Sequence, residues 1–121
     1  MKTQIGKLLN AQEAINEIMM EKLPAKLSYR LGSLVEEIAV ILKPFNDVKQ
    51  KMFEEWGEKS KDGQTMSIKQ EHFEKFKKEM ESLVTEEVEL KYKPMELSEL
   101  GELKISPVAM AHLQDYFYIK D

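Results

Sequence analysis

The chain has 121 residues, of which 42% are hydrophobic and 33% charged, with a net charge of -4 and no cysteine. That is one domain's worth of chain with enough apolar content to bury a core unaided, and it excludes disulfides and thiolate metal sites. The mixed, weakly acidic surface disfavours nucleic-acid binding by bulk electrostatics, and no run approaches the roughly 20 apolar residues that span a bilayer.

From Thr3 to Lys22, the residues Ile5, Leu8, Leu9, Ala11, Ile15, Ile18 and Met19 gather on one side of a helical projection, with Thr3 placed to cap it. A first helix is predicted there. Leu23-Pro24 punctuates the chain, because proline disfavours helix at the residue before it but suits the first position of a new one. From Pro24 to Trp56, Leu27, Leu31, Leu34, Ile38, Ile41, Phe45, Val48 and Met52 recur at steps of four and three, the heptad spacing of one apolar seam. The spacing predicts a helix about 50 Å long, antiparallel to the first. Pro44 lies inside it and removes one hydrogen bond; because the seam stays in register across it, a kink rather than a break is expected. Gly32, with no turn signal beside it, reads as a point of close helix packing.

Glu58 to Thr65 reads as a plain polar loop turning at Asp62-Gly63, without the ligand spacing of a calcium loop. Ser67 and Gln70 have the spacing of a capping box, opening a third helix with Phe73, Phe76, Met80, Leu83 and Val84 on its apolar side. Val88, Leu90 and Tyr92 alternate as in a short strand that Pro94 closes, and Leu103 and Ile105 alternate again, so the two stretches are expected to pair. Ser106-Pro107 is a cap followed by a proline at the first helical position, which predicts a final helix from Pro107 to about Tyr118 burying Val108, Met110, Leu113 and Phe117. The fold class expected is mainly α: a helical hairpin with one long heptad-patterned helix, a third helix, and a small C-terminal module of two short strands and a helix. One domain is expected, helical over 1-87, with the module over 88-121.

The run Gly6-Lys7-Leu8-Leu9-Asn10-Ala11-Gln12-Glu13-Ala14-Ile15, followed by Lys22-Leu23-Pro24-Ala25-Lys26-Leu27-Ser28-Tyr29-Arg30-Leu31, by Trp56-Gly57-Glu58, and by Leu97-Ser98-Glu99-Leu100-Gly101 with Ile105-Ser106-Pro107, resembles a family of short phage and prophage proteins of uncharacterised function. The resemblance covers nearly the whole chain, and Pro44 departs from it, standing where an ordinary helical residue is expected. It supplies no catalytic residue. What it implies is a phage origin, hence a host cytoplasm, and a role in assembly or in managing the host.

Candidate chemistry is sparse. Neither His72 nor His112 sits in a helical metal motif, and Glu36-Glu37, Glu54-Glu55 and Glu86-Glu87 are adjacent acids that diverge by about 100° on a helix. No glycine-rich phosphate loop exists, so neither an enzymatic activity nor a cofactor is expected. Arg30, the one arginine among eighteen basic residues, offers a planar fork suited to a carboxylate or phosphate. With Lys26 and Tyr29 beside it, Arg30 is either part of an anion pocket or the partner of a helix-one glutamate, Glu13 or Glu17. Tyr116, Phe117 and Tyr118 cannot all face one core on a helix, so at least one ring should be exposed as a candidate partner-binding anchor. The seam Leu27, Leu31, Leu34, Ile38, Ile41 and Phe45 is longer than either neighbouring helix, which predicts a homodimer closed over it; the rival cover is the C-terminal helix folded back. The function expected is a non-enzymatic phage interaction protein that self-associates and binds a host or virion protein. The alternative is a small-ligand binder sequestering an anionic metabolite or signalling nucleotide.

Overall fold

The computed structural model describes residues 1-100 and 105-118. The chain is mainly helical, with one long helix and a small C-terminal module of short strands and a helix. Lys2–Gln4 forms strand β1, which runs directly into helix α1 (Ile5–Met19). Helix α2 (Ala25–Trp56) follows a short turn and begins with the Ser28 N–H donating to the Pro24 carbonyl at 2.9 Å. Thr3 is therefore not a cap: it is a buried strand residue facing Val88 of β4 (Glu87–Glu89), with which β1 pairs antiparallel. Gly6 lets the end of a later helix come close, since a Cβ there would stand 3.2 Å from the Val84 carbonyl oxygen.

Helix α2 runs through Pro44 unbroken, and its buried residues are Leu27, Leu31, Leu34, Ile38, Leu42, Phe45, Met52 and Trp56. Leu42 is buried where the heptad placed Ile41, which is half-buried, and Val48 is exposed. The reason is the period. The apolar face advances at about 3.6 residues per turn, as on a straight helix, whereas a heptad seam repeats every 3.5. Gly32 has open space where a Cβ would stand, so it makes no close helix contact within the chain.

Gly57–Lys59 (β2) and Met66–Ile68 (β3) form an antiparallel hairpin in place of the expected plain loop. Its tip is held by Asp62, which accepts from the Gln64 N–H at 3.1 Å, by the Ser60 N–H donating to the Thr65 carbonyl at 2.8 Å, and by Gly63 at φ +72°, a left-handed turn that suits glycine. Ser67 faces Glu58 across the hairpin and caps nothing; a single 3₁₀ turn at Gln70–His72 leads into α3 (Phe73–Val84). No residue of α3 is fully buried. It braces the far end of α2, where Phe53 meets Phe76 edge-on and Trp56 stacks on the His72 ring and has the Lys75 ammonium over its own ring.

The C-terminal module takes its strand pairings from elsewhere in the chain. Met95–Glu96 (β5) pairs parallel with Phe117–Tyr118 (β6), and β4 pairs with β1; the expected pairing of 88-92 with 103-105 involves Leu103, which lies outside the described residues. Helix α4 (Pro107–Leu113) is capped as its sequence predicts, the Ser106 hydroxyl accepting from the Ala109 N–H at 3.2 Å. It ends five residues earlier than expected and buries Ala109 and Leu113, while Val108 is exposed. One core joins α1, the first two-thirds of α2, Leu90, Met95, Leu100, α4, Tyr116 and Phe117. Among the described residues, no helix is long and apolar enough to cross a membrane.

Candidate binding groove beside the long helix

The segment after β4 runs beside α2 towards Pro94, which lacks an N–H; Leu90 still exchanges hydrogen bonds with Met1, but beyond it no strand among the described residues partners the Lys91 and Tyr92 amides. A side chain supplies the missing acceptor. Glu37 of α2 accepts from the Lys91 N–H at 2.7 Å and from the Tyr92 N–H at 3.3 Å, so one carboxylate fixes two amides that a neighbouring strand would otherwise hold. Tyr92 then turns inward, donating its hydroxyl to the Tyr116 carbonyl at 2.9 Å with the two rings 5.9 Å apart. Burial pushes the Tyr92 phenol up to about 12, against the opposing pull of the Arg30 charge.

Two turns earlier on α2, Arg30 reaches the same segment. Its guanidinium donates to Glu99 at 3.5 Å and to the Lys93 carbonyl at 3.3 Å, so its partner is Glu99 and not Glu13 or Glu17 of α1. Glu17 instead accepts from the Ser106 hydroxyl at 3.4 Å. Arg30 divides two openings. One, of about 150 Å³, is lined by Pro24, Lys26, Leu27, Met95 and Glu99; the other, of about 360 Å³, lies between Tyr29, Ser33 and Glu37 on α2 and Lys91, Tyr92 and Lys93 on the crossing segment. The Tyr29 ring is exposed, and among the described residues no ion pair engages Lys26, Lys91 or Lys93.

The structure thus sets Lys26, Tyr29 and Arg30 along one surface, Lys26 on the first opening, Tyr29 on the second and Arg30 on both. Glu37, Lys91, Lys93 and Glu99 complete it, and sequence reasoning missed them. The run Lys91-Tyr92-Lys93-Pro94 carried the available signal, a basic and aromatic stretch whose proline forbids a strand. The aromatic cluster is divided: Tyr116 and Phe117 are core residues, and only Tyr118 is exposed. Burial pushes the Tyr116 phenol up. The seam residues Leu27, Leu31, Leu34, Ile38 and Phe45 are all buried inside one chain, covered by α1 and the C-terminal module, so the uncovered stripe that called for a second copy there does not exist. His112 lies between α1 and α4 beside Glu13 and Glu17, and the described residues contain no cluster of three or more metal-ligating side chains. Compared with known proteins, the chain matches no family model, no curated protein and no solved structure.

Proposed function

We propose that this chain is a non-enzymatic interaction protein, phage-encoded and working in the host cytoplasm as its landmark resemblance implies, which holds an acidic segment of a host or virion protein in the groove beside α2. One observation carries the reading: Lys26 on the first opening, and Lys91 and Lys93 on the second with the exposed Tyr29, have no ion-pair partner among the described residues, while the two acids, Glu99 and Glu37, are occupied by Arg30 and by backbone amides. The groove therefore presents an excess of positive charge on a chain that is negative overall. Exposed ion pairs contribute only about 0.2 to 1 kcal/mol each, so binding should be modest and strongly salt-dependent.

A labelled oligoglutamate peptide carrying one tyrosine tests this by fluorescence polarisation. Binding should weaken as salt is raised and be lost in the triple variant Lys26→Glu, Lys91→Glu, Lys93→Glu, whose exposed positions leave thermal stability unchanged; equal binding by the triple variant would remove the groove from the reading. The rival, a small anionic metabolite or signalling nucleotide held by Arg30 and a lysine, requires Glu99 to leave the guanidinium. A small molecule retained in native mass spectrometry would favour that rival.

A further inference from the structure

A second stripe runs along α2 on the side away from the core. At 100° per residue, Tyr29, Ser33, Glu36, Val40, Lys43, Asp47, Gln50 and Glu54 lie opposite the buried face, and every one of them is exposed. Their steps of four and three are those of a heptad, so two such stripes can stay in contact along their length. Val40, at 74% exposure, and Tyr29, at 76%, are among the most exposed large apolar side chains in the protein. Ala39 is small, and Gly32 has nothing within 4 Å of where a Cβ would be, so a second helix can approach the backbone there.

We propose that this outer face of α2 is the contact between two copies of the chain, paired antiparallel about a two-fold axis between Ala39 and Val40. The charges choose the occupant and its direction. In that register Glu36 of each copy faces Lys43 of the other, Tyr29 faces Gln50 beside the Lys51 ammonium, and Asp47 faces the open position at Gly32. Lys43, already 3.3 Å from Asp47 of its own helix, becomes shared between two carboxylates. A parallel pairing would instead set Glu36, Lys43, Asp47 and Glu54 each against its own copy, which is repulsive at all four levels. The antiparallel form has no such conflict. The stripe from Tyr29 to Lys51 covers about 33 Å of helix, less than a standard interface of roughly 1,600 Å² requires, so the dimer is weak and depends on concentration.

Sedimentation equilibrium from micromolar to millimolar protein tests it. The mass should rise from 14.1 kDa towards twice that value. Glu36→Lys, Lys43→Glu and Val40→Lys should each raise the dissociation constant by about ten-fold or more, the equivalent of about 1.4 kcal/mol. The double reversal Glu36→Lys with Lys43→Glu should restore it, because the facing pair is regenerated with its signs exchanged. All three positions are exposed, and circular dichroism melts of the variants should overlay that of the parent. A monomer throughout the range, a dimer indifferent to Val40→Lys, or a double reversal no better than its single components would each overturn the proposal. Tyr29 borders both this stripe and the acidic-segment groove, but none of these substitutions touches it or the groove lysines, so failure of the dimer test leaves the groove reading to its own test.

Discussion

Tyr92 shows how one side chain couples the groove to the core. Its backbone N–H is held by Glu37 on the outer side of α2, and its hydroxyl is held by the Tyr116 carbonyl on the inner side. Burial favours the neutral phenol, so Tyr92 keeps its proton to about pH 12 in the fold, whereas in the unfolded chain a phenol ionises near 10. Below about pH 10 both states are protonated and stability does not depend on this group. Between about 10 and 12 the unfolded state binds fewer protons than the folded one, so stability must fall as pH rises. Tyr116 moves in the same direction. Urea midpoints should therefore be lower at pH 11 than at pH 9, and Tyr92→Phe should reduce the drop; an unchanged drop in that variant would assign it to other groups. From sequence, Arg30 was recognisable as a special residue because it is the only arginine. Glu99 was not recognisable as its partner, since nothing local sets a helix residue at 30 against a residue in the short 3₁₀ turn at Leu97–Leu100.

Among the elements, α2 was read most fully. Its length, its starting proline and most of its buried face follow from the sequence pattern, and the slips, Ile41 for Leu42 and the exposed Val48, arise because a drift of about 20° per heptad accumulates over successive heptads. Pro44 lies on the exposed side and leaves the Val40 carbonyl without its helical donor. Replacing it by alanine restores that bond, while the more flexible unfolded chain takes back about 0.4 to 1 kcal/mol. A net gain of about 1 to 2 kcal/mol is expected for Pro44→Ala, read as a higher melting temperature; a lower one would mean that the helix path set by the proline is needed for packing. The hairpin β2–β3 was less legible. Three-residue strands carry too little alternation to register, and the Ser67…Gln70 spacing of a capping box is shared by sequences that turn elsewhere.

At the scale of the whole molecule, the core is assembled from segments far apart in sequence, and that is what spacing cannot convey. Local patterns mark each amphipathic face, but whether α1 is covered by α3, by α4 or by a second chain depends on pairings such as β1 with β4, whose partners are separated by most of the chain. Leu113, fully buried at the centre of that assembly, should therefore matter as much as any residue of the long helix. Leu113→Ala should cost about 2 to 5 kcal/mol by loss of burial and creation of a cavity, a large part of a typical total of about 5 to 15 kcal/mol. Val108→Ala on the same helix, at an exposed position, should cost little; equal losses in chemical denaturation would contradict this packing. The same closure also has a consequence during synthesis. The helical hairpin emerges from the ribosome first, with Leu8, Ile15, Leu31 and Ile38 already lined up, but the residues that cover them, from Leu90 to Phe117, are made last. At about 5 to 20 residues per second the nascent chain carries an open apolar face for several seconds.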